Sequence, residues 1–161
     1  MHAKSSGGHV IYLSFFFSMC LTVLPWSNQV ASFMPHWTLM TLMYWSIALP
    51  YKVSIGTGFM MGLLFDVLTG SLLGLNTLAF CIAAFLSHTL YSQIRNYLIW
   101  QQAGFILFFF LSMQLLMLWI TQLASSTNTD YTYWFQALTS ALLWPIAFAT
   151  LRLTRRRFRV Q

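Results

Sequence analysis

Between Val10 and Leu151 the chain carries only four charged side chains, Lys52, Asp66, Arg95 and Asp130. The long stretches between them are rich in Phe, Leu, Met and Trp. An average soluble domain has about 25% charged residues. This chain of 161 residues has 6%, against 58% hydrophobic. So few charges cannot solvate a globular surface, and the chain is expected to be an all-α integral membrane protein of one domain.

Prolines and polar clusters divide the apolar sequence into six runs. They are read as transmembrane spans at about residues 10–25, 33–50, 53–70, 76–92, 98–123 and 133–151, with a basic cytoplasmic tail at 152–161. The first run has Lys4 ahead of it and resembles a signal peptide. No small-x-small cleavage site follows, so it is expected to remain as the first span. The second run, from Trp37 to Leu49 and stopped by Pro50, covers only about 20 Å as a helix. It is expected to begin nearer Val30 or to lie where the protein is thin. Pro145 falls inside the last run and is expected to kink it, which membrane helices tolerate when neighbours satisfy the freed carbonyl.

Six spans put both termini on one side, and Lys4, Lys52, Arg95 and the tail arginines all fall on that side. The opposite side has Asp130 as its one charge. By the positive-inside rule both termini are cytoplasmic. The net charge of +6 is not a nucleic-acid signal, because five of the eight cations lie in the last ten residues and no basic groove is interleaved with aromatics. Arg152, Arg155, Arg156, Arg157 and Arg159 are candidates for binding anionic lipids at about 1 kcal/mol each near the surface. The simpler reading is a stop-transfer anchor.

The most distinctive segment is Ile55 to Leu75, which holds five of the eight glycines and one of the two acids. Gly58, Gly62, Asp66, Gly70 and Gly74 recur every fourth residue. On a helix such a row drifts only about 40° per step. In a bilayer, small residues at this spacing let two backbones approach closely. The row is therefore expected to form a helix-packing seam, either within the chain or against a partner helix. Asp66 lies on it. An aspartate at the centre of a membrane helix costs about 2.5–3.5 kcal/mol on insertion scales, so it is expected to face protein or water. Its candidate polar partners are Thr69, Asn76 and Gln114.

The residues offer little catalytic chemistry. An intramembrane aspartyl dyad needs two carboxylates that share a proton, and the second acid belongs to a loop. Ser87 and His88 are adjacent, which on a helix points them about 100° apart. No phosphate loop or metal-ligand spacing occurs. Cys20 and Cys81 are read as small buried hydrophobes. No enzyme activity, cofactor or metal is expected. A small-solute or ion binding or transport subunit using Asp66 stays open as an alternative, because a membrane carboxylate is a functional candidate by default.

The block L-P-Y-K-V-S-I-G-T-G-F-M-M-G-L-L-F-D-V-L-T-G-S-L-L-G, from Leu49 to Gly74, resembles the signature region of the rod-shape-determining MreD family. So do Y-W-S-I-A-L-P, W-Q-Q, L-W-P and the basic C-terminus. The resemblance implies a multi-pass protein of the bacterial cell inner membrane, acting as a non-enzymatic scaffold of cell elongation and lateral peptidoglycan synthesis. It implies association with the membrane helix of MreC, and through it with MreB, RodA and a class B penicillin-binding protein. It also implies a fold like the substrate-binding subunits of vitamin transporters. Family members can carry an acid in the fifth span, where Gln114 and Thr121 stand here, so no role for a second acid carries over.

Overall fold

The computed structural model describes residues 8–25, 27, 30, 33–124 and 134–158. Among these it contains six helices and no strand: α1 (Gly8–Val23), α2 (Trp37–Ala48), α3 (Ile55–Thr69), α4 (Leu75–Ile94), α5 (Ile99–Ala124) and α6 (Phe135–Arg157). By length and composition α4, α5 and α6 can each cross a membrane, whereas α1 and α3 are shorter apolar helices.

Helix α2 forms the centre. Every residue from Thr38 to Ile47 is buried, and the helix packs against α1, α4 and α6. A helix with no polar face can only be stable when enclosed on all sides. Two polar contacts fix it to α1: the Trp45 indole donates to Ser14 Oγ at 2.8 Å, and the hydroxyls of Thr22 and Thr38 meet at 3.2 Å. At its N-terminal end the His36 amide donates to Ser140 Oγ of α6 at 3.2 Å.

The expected start of this helix near residue 33 needs correction. It begins at Trp37, two residues after Pro35, and has 12 residues. It does not have to span a bilayer by itself because its neighbours, and not lipid, cover it. The basic segment also differs from expectation. Arg152 to Arg157 are not a separate tail but continue α6 without a break, while Arg159 lies outside the described residues. Pro145 lies inside α6. Its missing N–H leaves the carbonyl four residues back without a helical donor.

The remaining helices bury one side against this centre and turn apolar side chains outward. Phe16, Phe17, Met60, Val67, Phe108, Trp119 and Leu142 are all more than half exposed. Exposed apolar surface on this scale matches lipid and not water. Cys20 belongs to this outer surface, contrary to its expected burial, and Cys81 is half-buried; both are free thiols.

Candidate functional site

Among the described helices α3 and α4 share the most extensive contact, and the glycines explain how. A Cβ on Gly62 would stand 2.5 Å from the Thr77 Cα. One on Gly58 would stand 2.9 Å from both the Phe80 carbonyl oxygen and the Ala84 Cβ. No side chain fits at either place. Thr77, Phe80 and Ala84 follow the i, i+3, i+7 pattern of one helix face, and the Gly58–Gly62 row lies along it.

Asp66 continues that row one turn further and is 1% exposed. One carboxylate oxygen, Oδ1, accepts from the Ser71 hydroxyl at 2.8 Å and the Asn76 amide at 3.0 Å. The other, Oδ2, accepts from the Gly74 amide at 2.9 Å, the Thr77 amide at 3.1 Å and the Thr77 hydroxyl at 2.7 Å. A carboxylate has about four lone-pair sites, so these bonds saturate it. Three of the donors are backbone amides at the start of α4, a position where a helix leaves its N–H groups without internal partners. Asp66 thus caps α4 from the preceding helix, and the positive end of the helix dipole favours its charge.

The turn between the helices brings this about. Gly70 ends α3 with φ 64° and Gly74 starts α4 with φ 101°. Both angles lie where a Cβ is strained. The space around each is open, so neither glycine continues the packing seam as the fourfold spacing had suggested. The row of five is a seam of three followed by two turn residues, and the reason is that the helix stops at Thr69.

The candidate partners of Asp66 divide accordingly. Asn76 binds it through its backbone amide, while its side chain donates to Ser71 Oγ at 3.0 Å. Thr69 contributes at one remove, with its hydroxyl 3.2 Å from that of Ser71. Gln114 is buried on α5 and lines a cavity of about 20 Å3 together with Asn76, Thr38 and His36. That is room for about one water. His36 stacks there on Phe110, with ring centroids 5.6 Å apart.

Ser71 and Thr77 were not foreseen as partners. The available signal was the pattern S-x-x-G-x-N-T, a glycine start followed by hydrogen-bonding residues in the first helical turn. Elsewhere, Ser87 is buried in α4 and the His88 ring lies 6.4 Å from that of Tyr91. Among the described residues no group of three His, Cys, Asp or Glu side chains is placed to hold a metal ion.

Comparison with known proteins bears on nearly the whole chain. Residues 4–154 match the model of the family described as rod shape-determining protein MreD. The rod shape-determining protein MreD of Haemophilus influenzae is 33% identical over 152 residues, which cover 92% of each chain. No solved structure matches.

Proposed function

The chain belongs to the MreD family of rod shape-determining proteins, and from that premise we propose that it is a non-enzymatic scaffold of the membrane complex that directs lateral wall synthesis. It holds the membrane helix of MreC, and through it meets MreB, RodA and a class B penicillin-binding protein. The chain passes through the inner membrane six times, with the short α2 enclosed by its neighbours, and both termini are cytoplasmic. The clustering of Arg95, Arg152 and Arg155 at one end of the bundle supports that orientation. The tail cations hold this end to the anionic leaflet. The likeness to vitamin-transporter subunits is a proposal about fold that an experimental structure would test.

The observation that carries the scaffold reading is where apolar surface remains. The seam at Gly58 and Gly62 is filled by α4, so it supports the fold and leaves partner binding to another face. A groove of about 760 Å3 runs along the outer side of α5, lined by Phe108, Leu111, Leu115, Trp119 and Ile120 and closed at one end by Trp134. Anchors at i, i+3 or i+4 and i+7 are what a docked helix requires. Ser112 also lines the groove. Introducing Ser112→Trp fills the groove without touching the core. Mild-detergent co-purification should then lose MreC while the variant elutes as folded protein. Undiminished MreC recovery from the folded variant would sink this surface.

A carrier built on Asp66 has less support. Its carboxylate is occupied by donors of its own chain, and the neighbouring cavity holds about one water.

A further inference from the structure

At the end of the bundle remote from Asp66, four helices close around a second cavity, of about 230 Å3. Tyr44 of α2, Arg95 after α4, Gln102 of α5, and Arg152 and Arg155 of α6 line it, with Phe148 as an apolar wall. Tyr44 is buried, and Arg155 lines the cavity beside it. Gln102 is 4% exposed. Its Nε2 donates to the carbonyls of Ile94 and Tyr97 at 2.9 and 3.2 Å, which fixes the amide. Its Oε1 is buried with no hydrogen-bond partner among the described residues.

Three arginines line one space, and among the described residues no carboxylate lines it with them. Asp66 is held at the first turn of α4, and from Thr77 to Arg95 that helix rises about 27 Å. A lining of this sign attracts an anion. Arginine's planar fork matches phosphate oxygens in pairs. A phosphate ester also carries hydroxyl or ammonium groups, which can donate to the orphaned Gln102 oxygen.

We infer that this cavity is a binding site for a phosphate ester, held by Arg95, Arg152 and Arg155 and oriented by Tyr44 and Gln102. The same chemistry is offered by a phospholipid headgroup and by a soluble phosphate ester. The inference does not depend on the scaffold reading, since it concerns a ligand and not a protein partner.

The test uses the full chain in nanodiscs. In one arm the discs contain phosphatidylcholine with a minor share of phosphatidylglycerol, and native mass spectrometry counts the phosphatidylglycerol retained after detergent extraction. In the other arm the discs are pure phosphatidylcholine, and thermal unfolding is followed with and without glycerol 3-phosphate. Arg152→Gln with Arg155→Gln should lower retention or ligand affinity by about tenfold or more, as expected for lost charge-assisted bonds. Arg156→Gln with Arg157→Gln removes the same charge outside the cavity; through lost leaflet attraction it should lower phosphatidylglycerol retention less than the first pair does, and it should change glycerol 3-phosphate affinity less than about twofold. Should the first pair fail to fold, Ala48→Phe fills the cavity with every charge in place and should lower binding equally. Binding in the first arm assigns a headgroup, and binding in the second a soluble ester. Equal loss from both arginine pairs would mean diffuse surface charge and would overturn the site. So would the absence of binding in both arms, including the case where an acidic protein segment is released from the cavity variants instead.

Discussion

At the α3–α4 turn one carboxylate is enclosed by donors from its own chain, whereas at the far end of the same helix pair three arginines line a cavity to which the described residues bring no acid. The first region is closed: every lone pair of Asp66 has a donor. The second is open, and polar groups near it are left over. Among the described residues the Gln102 oxygen has no partner, and neither do the buried hydroxyls of Ser46 and Ser87, on the halves of α2 and α4 that lead towards the arginines. Buried polar groups are nearly always satisfied in folded proteins. A region where they are all paired supports the fold, and one where they are not is a place to look for something that binds.

The largest effect should come from the seam. Gly62→Leu puts a side chain where even a Cβ meets Thr77 backbone at 2.5 Å. The cost should exceed about 4 kcal/mol, and folded monomer should vanish from size-exclusion profiles in mild detergent. A normal monomer peak would break the claim that this end is closed by close packing. Next is Asp66→Ala, which strands the amides of Gly74, Asn76 and Thr77 and should cost about 3 kcal/mol or more. Asp66→Asn keeps the shape but turns an NH2 towards donors, so in SDS titration it should unfold between wild type and the alanine variant. Equal stability of Asp66→Asn and wild type would show that charge is irrelevant to the clasp.

The turn glycines give a smaller and sharper test. Gly74→Ala, at φ 101°, and Gly70→Ala, at φ 64°, should each cost about 1–2 kcal/mol of backbone strain. Gly70→Asn should recover most of its share, since Asn tolerates that conformation. Because space around both is open, Gly70→Leu should cost no more than Gly70→Ala. A far larger loss from leucine would return Gly70 to the packing seam. The smallest effect belongs to the open half. Ser87→Ala removes a hydroxyl with no partner and should shift the melting temperature by little, upward if at all. A clear loss of stability would mean that the hydroxyl is engaged and that the contrast between the two regions is weaker than drawn.

How far these regions could be read in the sequence follows from the range of the interactions. The helix ends lie near prolines and glycines because those act locally: Pro25, Pro50 and Gly70 mark them directly. Close packing at Gly58 and Gly62 was legible from spacing, although its occupant, α4, was not. The break of the row at Gly70 was hidden because fourfold spacing continues across a turn that no longer follows a helix. The donors Ser71 and Thr77 were missed for the same reason. They reach Asp66 through two left-handed residues, so helical offsets do not predict them. The late start of α2 was misjudged by asking each span for enough length to cross a bilayer, a demand that falls only on helices in contact with lipid. The arginine cavity was least legible. Tyr44, Arg95, Gln102 and Arg152 belong to four helices, and nothing in their local sequence pairs them.

The clasp at Asp66 has one more consequence, for how the protein is made. Its donors follow the aspartate by between 5 and 11 residues. As synthesis proceeds, the charge waits only for the next short length of nascent chain and not for a distant helix. Closing a loop of about ten residues takes about 10–100 ns, far faster than residues are added at about 5–20 per second. The carboxylate can thus be enclosed before α5 exists, and α3 and α4 can enter the bilayer together as a preassembled hairpin. A lesion in the pair is then expected to lower the yield of inserted protein, read in the membrane fraction, as well as the stability of what is inserted.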